Sequence, residues 1–276
     1  MLYDRPESLA EALALLAAGP RTLLAGGTDL YPATEAATLP GPVLDLGGLA
    51  ALDGIARDAE GVRIGAGTRW ATIRDADLPP AFDALRQAAA EVGGPQVQNA
   101  GTLGGNLCNA SPAADGVPPL LVLDAAVELA SAAGRRRLPL AAFLAGPRRT
   151  ARRPDEILTA VLVPAAALRG RAGFGKLGAR RHLVISIVMV AARLVVADGR
   201  VAEAALAVGA CGPVATRLPA VEAALAGAPA ATAAARIDPA TVAAALAPID
   251  DHRAPAAYRG EAAAELLRRA IAALAR

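Results

Sequence analysis

Lysine is nearly missing from this 276-residue chain: Lys176 stands alone, and every other member of the 28 Lys plus Arg residues is arginine. Cysteine is scarce as well. Cys108 and Cys211 cannot build a disulfide framework or a four-thiolate iron–sulfur site. His182 and His252 have no ligand-like neighbours at metal spacing, so no metal site is expected in the chain itself. Aromatic residues make up only 3%, and none interleave with the arginine groups at 135–137, 148–149, 152–153 and 180–181. Those groups are expected to be solvated or to meet partner proteins, and nucleic acid is not an expected partner. The longest uncharged apolar run, Leu183 to Ala192, has about ten residues where a membrane span needs about twenty. The start, Met1-Leu2-Tyr3-Asp4-Arg5-Pro6-Glu7, is acidic where a signal peptide is basic, so a soluble cytoplasmic protein is expected.

What is present is alanine, at about a quarter of positions, and a near balance of charge, +2 net. A hydrophobic fraction of 54% excludes a disordered chain, and the length provides for one large or two ordinary domains. Ser8-Leu9-Ala10-Glu11 has the form of a capping box for a helix carrying Leu9, Leu13 and Leu16. Strands are expected at Arg21–Ala25 and Val43–Leu46, giving a compact β-α-β start. From about Ile55 short strands and turns take over. Thr68 is expected to cap a helix through Ile73, and Ala81–Val92 to form another. Gly93–Asp115 reads as a long glycine-rich loop, the kind that is usually functional. Val127–Ala130, Arg137–Leu140 and Ile157–Val163 are candidate strands of a second sheet. Pro164–Gly173 reads as a linker. Beyond it, Ile185–Val196, a turn at Ala197-Asp198-Gly199-Arg200 and Val201–Val208 form an expected β-hairpin. Helices are expected at Pro219–Ala226, Thr241–Leu246 and Tyr258–Ala275.

Two glycine constellations stand out. Leu24-Ala25-Gly26-Gly27-Thr28-Asp29-Leu30 leads from a strand into a turn whose bare backbone amides and Thr28 hydroxyl could meet an anion. Taken alone, a plain tight turn with Thr28 or Asp29 capping a helix is the favoured reading. Gly101-Thr102-Leu103-Gly104-Gly105-Asn106 again offers backbone amides beside Thr and Asn side chains. Neither has the Gly-x-Gly-x-x-Gly spacing of a Rossmann unit or the Gly-Lys-Ser/Thr ending of a phosphate loop, which disfavours both.

In order and spacing, Ala25–Leu30, Asn99-Ala100-Gly101-Thr102-Leu103-Gly104-Gly105-Asn106 and Ala110-Ser111-Pro112-Ala113-Ala114-Asp115 resemble the FAD-binding medium subunit of the molybdenum hydroxylases, the xanthine dehydrogenase and carbon monoxide dehydrogenase family. The resemblance continues through Pro154–Leu158, Val163-Pro164, Phe174–Gly178, Asp250–Arg253 and Tyr258-Arg259, nearly the whole chain. It implies an α+β fold. A two-subdomain FAD-binding domain (PCMH/vanillyl-alcohol-oxidase-like) over 1–167, split at about 1–54 and 55–167, would precede a smaller α/β C-terminal domain over 168–276. It implies FAD held by Leu24, Ala25, Gly26, Gly27, Thr28, Asp29 and Leu30 on one side and by Thr102, Gly104, Gly105 and Asn106 on the other. Asn109 and Asp115 would lie at the adenosine or ribose end, Leu158 would pack on the isoalloxazine, and Lys176 would contact the flavin. Partners implied are a large subunit with the molybdenum cofactor and a small iron–sulfur subunit with two [2Fe–2S] clusters, assembled as a dimer of heterotrimers. The chain itself would pass electrons to an external acceptor, with no catalytic acid or base of its own.

This sequence departs from the family pattern in three places. Gln98 replaces an arginine common in relatives. Leu183 and Val184 follow Arg180-Arg181-His182 where some relatives have acidic residues. The four-cysteine loop of certain relatives is missing. Cys108, Cys211 and Trp70 are expected to pack rather than react, and Tyr31 either packs or meets the cofactor. Two other classes are weighed against this reading: a stand-alone FAD-dependent oxidoreductase with its own substrate pocket, and a flavin-free structural subunit. The first lacks a His, Tyr or Cys constellation for a substrate; the second does not account for both glycine pairs, Asp115 and Lys176.

Overall fold

The computed structural model describes residues 2–39 and 41–275. The chain opens with strand β1 (Tyr3–Asp4), helix α1 (Leu9–Ala17), β2 (Thr22–Leu24) and β3 (Val43–Asp45), and the three strands form a parallel sheet in the order β1-β3-β2. The Ser8 side chain caps α1 by accepting from the Glu11 amide, whereas Glu11 reaches back to the amide of Glu7 rather than to that of Ser8. Ala12 and Leu16 pack with Leu44, Leu49 and Leu52 into a small core of their own.

β4 (Ile55–Arg57) and β5 (Gly61–Gly65) start the second sheet. Next comes a run of short helices: α2 (Trp70–Asp75), α3 (Asp83–Glu91), α4 (Pro95–Ala100), α5 (Leu103–Asn109) and α6 (Val117–Val122). β6 (Ala126–Ser131) and β7 (Gly134–Pro139) precede α7 (Leu140–Phe143), the small hairpin β8 (Leu144–Gly146) and β9 (Arg149–Thr150), and the long β10 (Ile157–Pro164). The sheet is antiparallel in the order β4-β5-β10-β6-β7. Two expectations change here. Thr68 does not cap a helix: it is buried and its hydroxyl donates to Gly54 O at 3.1 Å, while Arg69 stands at the start of α2. Gly93–Asp115 is not an open loop, because Pro95 starts α4, Gly101 ends it, and the Thr102 hydroxyl caps α5.

The third sheet, β11 (Arg171–Leu177), β12 (Val188–Ala197), β13 (Arg200–Gly209) and β14 (Thr216–Arg217), is antiparallel in sequence order. The segment expected as a linker is structured: β10 runs to Pro164, one turn of 3-10 helix covers Ala165–Leu168, and β11 starts at Arg171. Helices α8 (Pro219–Leu225), α9 (Pro239–Ala244) and α10 (Ala256–Leu274) complete the chain. β12 and β13 are covered on both faces, which accounts for the apolar run read in the sequence. Val188, Val190, Leu206 and Val208 face the core with α10, and Ala191, Ala205 and Ala207 face the core of the second sheet. Alternation at period two puts alanines on the face that packs against α6, where a methyl group permits a close approach. Among the described residues, no helix is long and apolar enough to cross a membrane.

Candidate functional site

The first glycine turn follows the end of β2, half-buried apart from the exposed Asp29. Gly27 takes φ +70°, which glycine adopts at no steric cost, and the Tyr31 ring lies where a side chain would go, 2.3 Å from an added Cβ. Gly26 lies against the neighbouring wall: a Cβ there would stand 2.0 Å from Ala100 O. Among the described residues, the amide N–H groups of Gly26, Gly27, Thr28, Asp29 and Leu30 have no protein acceptor. Successive unengaged amides of this kind form an anion cradle.

The second turn differs from expectation. Its amides are already committed: Leu103 N donates to Thr68 O at 3.0 Å, Gly104 N to Ala66 O at 2.7 Å, Asn106 N to Thr102 O at 3.1 Å and Gly105 N to Thr102 Oγ1 at 3.1 Å. Gly104 is needed for packing, since a Cβ would fall 2.7 Å from the Ala66 Cβ and 2.8 Å from its carbonyl oxygen. What this wall leaves unsatisfied is a side chain: Asn106 Oδ1 is buried without a partner. Such an atom costs about 1–3 kcal/mol unless a donor meets it.

Both turns line one cleft of about 1390 Å³, with Asn109, Asp115 and Leu158 on its walls. Of the residues expected at the site, Leu24 and Lys176 do not line it. Leu24 is buried beneath the turn. Lys176 stands behind Asp115, its ammonium donating to Asp115 Oδ2 at 2.7 Å and to Glu91 O at 3.3 Å. Ser186 Oγ donates to the other carboxylate oxygen, Oδ1, at 2.8 Å. Burial raises the Asp115 carboxyl above the usual range, and Lys176 and then Ser186 oppose that shift. Asn109 is engaged by the Arg148 guanidinium through both its side-chain and main-chain oxygens.

Several lining residues escaped the sequence reading. Arg148, Arg149 and Arg152, expected as general surface, stand on the cleft wall, as do Leu183, Val184 and Ile185. Leu183 and Ile185 are exposed, so the departure from an acidic pattern gives the mouth of the cleft an apolar rim. Gln98 lies outside the cleft. It is buried, donates to Ala90 O at 3.0 Å and accepts from Arg74 Nη1 at 2.8 Å, so a guanidinium reaches this place from another helix. Cys108 lines the cleft, and burial pushes its thiol up to about 11, a packing group rather than a nucleophile at neutral pH. Trp70 is fully buried against Gly116, and His182 and His252 lie on the surface.

Comparison with known proteins matches this arrangement to a family. Residues 1–166 match the FAD binding domain in molybdopterin dehydrogenase, and residues 175–274 match the CO dehydrogenase flavoprotein C-terminal domain. The chain belongs to the FAD-binding medium subunits of the molybdenum hydroxylases. This medium subunit is 36% identical over 217 residues to the xanthine dehydrogenase FAD-binding subunit of Escherichia coli O157:H7, covering 76% of the chain and 74% of the relative. It is 31% identical over 272 residues to the nicotine 6-hydroxylase medium subunit of Paenarthrobacter nicotinovorans, covering 98% and 95%. Among solved structures it superposes on CO dehydrogenase from Oligotropha carboxidovorans with a TM-score of 0.90 at 29% identity, covering 100% of this chain and 97% of that one. Quinoline 2-oxidoreductase from Pseudomonas putida 86 gives 0.86 at 28% identity, covering 100% and 96%. The medium subunit is thus an oxidoreductase subunit with an FAD-binding domain, and its α+β fold is that of the CO dehydrogenase medium chain.

Proposed function

We propose that this medium subunit carries FAD in the cleft as the electron-transfer component of a heterotrimeric molybdenum hydroxylase. The organic substrate is then hydroxylated at the molybdenum cofactor of a large subunit. The chain described here stands between two [2Fe–2S] clusters of a small subunit and an external acceptor, in a cytoplasmic dimer of heterotrimers. When bound, FAD supplies the one- and two-electron exchange that joins clusters to acceptor.

The observation that carries this reading is the run of five unengaged amides, Gly26 to Leu30, on a cleft large enough for a dinucleotide. They suit the diphosphate. Opposite them stands the wall from Thr102 to Asn106, in which Asn106 Oδ1 is buried with no protein donor. Asp115 accepts one bond at each oxygen from Lys176 and Ser186, and a carboxylate has lone pairs left for sugar hydroxyls. Asn109 and Leu158 also line the cleft, and Leu158 offers an apolar contact to the ring. Leu24 supports the turn, and Lys176 holds the Asp115 carboxylate from behind without touching the cofactor. We place the division between the FAD-binding domain and the smaller C-terminal domain at about residue 168.

An absorbance spectrum of the purified chain tests the reading. Flavin bands are expected as isolated or after reconstitution with FAD, together with co-purification of one larger and one smaller subunit. A chain that takes up no FAD would sink it. Turnover of an organic substrate by this chain alone would favour the stand-alone oxidoreductase instead.

A further inference from the structure

The Asp250–Arg253 and Tyr258-Arg259 segments contribute no residue to the cleft wall, yet they build a dense polar cluster in the C-terminal part of the fold. Arg259, in the first turn of α10, is 0% exposed. Its guanidinium donates to Ile187 O at 2.7 Å, to Ala210 O at 3.0 Å and to Asp251 Oδ1 at 2.6 Å. Arg253 pairs with the other oxygen of Asp251 through Nε at 3.0 Å and Nη2 at 2.6 Å, and its Nη1 donates to Ser186 O at 2.8 Å. Two successive carbonyls, those of Ser186 and Ile187, are therefore each held by an arginine, and one carboxylate aligns both arginines. Burying a guanidinium is costly unless its N–H groups are satisfied. The fork geometry of arginine meets that condition here, where the point charge of lysine would not.

What these contacts fix is the entry to β12, the residue after the cleft-lining stretch Leu183–Ile185. Between Gly178 and Ile187 the chain has no helix or strand, and Leu183 takes φ +51°. Such a segment is ordered only if something outside it offsets its conformational entropy. At the held end, Ser186 points its hydroxyl at Asp115.

We propose that the Asp251–Arg253–Arg259 cluster is a positioning device for the FAD site: it fixes the Ser186–Ile187 backbone, and through the Ser186 hydroxyl it fixes the carboxylate of Asp115 on the cleft wall. The proposal rests on the reading of the cleft as the FAD site. The C-terminal domain then governs cofactor affinity through residues that lie outside the cleft wall. Arg253, Arg259 and Asp251 are positioning residues.

The test uses the full chain stripped of flavin, titrated with FAD by quenching of flavin fluorescence, for wild type, Arg253→Ala, Ser186→Ala and the double variant. Each single substitution weakens FAD binding about tenfold, the scale of one hydrogen bond to a charged group. The double variant binds no more weakly than the worse single one, because both act on the same carboxylate. Arg253→Lys, able to keep one of its two contacts, gives an intermediate loss. Ser186→Ala lowers affinity about as much as Arg253→Ala but lowers the melting temperature of the flavin-free chain less, since it removes one hydrogen bond where Arg253→Ala removes three. Unchanged affinity in Ser186→Ala or Arg253→Ala would overturn the proposal. So would losses that add in the double variant and track the fall in melting temperature, the behaviour of a cluster that merely supports the fold. Failure of the wild-type chain to bind FAD is a separate outcome, which overturns the functional reading and this proposal with it.

Discussion

Gly26 meets the backbone of Ala100: a Cβ on Gly26 would stand 2.0 Å from the Ala100 carbonyl oxygen and 2.6 Å from its carbon. The two glycine-bearing segments, about 75 residues apart in sequence, are therefore walls of one cleft only because one of them lacks a side chain at this point. Gly26→Ala must push the walls apart. Since a peptide group blocks the way rather than a flexible side chain, the cost reaches or exceeds about 3 kcal/mol, the upper end for overpacking. The expected result is a clear fall in melting temperature and loss of FAD uptake. Gly105→Ala, also on the cleft wall, is the control for stability alone, because the nearest atom to its added Cβ is a hydroxyl, Thr102 Oγ1 at 3.0 Å, rather than a peptide group. An equal fall in melting temperature in the two variants would contradict the assigned contact.

Lys176 and Asp115 make a second prediction. Their side chains are only 7% and 10% exposed, so removing one partner strands the other in a poor solvent. Lys176→Met is expected to destabilise the chain by about 3–5 kcal/mol. The pH dependence has a definite sign. Burial raises the Asp115 carboxyl and Lys176 opposes this, so the variant's folded state holds the Asp115 proton to a higher pH than its unfolded state does. Its stability then falls as pH rises through that window and recovers on acidification. Thermal melts of Lys176→Met at several pH values between about 4 and 7 check this; a variant that is most stable at the alkaline end refutes it. Lys176→Arg, which is bulkier, is expected to lie between wild type and Lys176→Met.

The first turn, Ala25–Leu30, was legible because consecutive glycines after an apolar strand restrict the backbone locally. Thr102 and Asp115 were legible only through the spacing of a family pattern. What the sequence concealed has physical causes. α4 and α5 are six and seven residues long, too short to show a helical apolar period, so their stretch reads as a loop. The committed amides of Leu103 and Gly104 depend on Thr68 and Ala66, which no local rule connects to them. The arginines of the cleft look like ordinary surface residues, and Arg259 runs against the strong tendency of arginine to stay outside. The alanine richness acquires a structural use on the inner face of β12 and β13.

Gln98 and Arg74 allow a charge-exchange test of the departure noted at position 98. With Gln98→Arg alone, a second guanidinium enters a buried place, Arg74 loses its acceptor at 2.8 Å, and like charges meet. The expected cost is about 3 kcal/mol, read from urea unfolding. Adding Arg74→Gln restores one guanidinium and one amide in exchanged positions, and more than half of the loss should return. If the double variant is no more stable than Gln98→Arg, the two side chains do not form the unit described.

The two thiols give a chemical readout of burial. Desolvation pushes Cys108 up to about 11, with Arg152 opposing, and pushes Cys211 to about 11 as well. The thiolate is the reactive form, so at pH 7.5 less than about one part in a thousand of either residue is available. Iodoacetamide is therefore expected to leave both unmodified over an hour at pH 7.5, as followed by intact mass. Modification of Cys108 should accelerate about tenfold per pH unit as the solution becomes more alkaline, provided the fold persists. Because Cys108 lines the cleft and Cys211 does not, added FAD should slow the first reaction and leave the second unaffected. Rapid labelling of Cys108 at neutral pH would show instead that an open, thiolate-stabilising environment exists at the cleft wall.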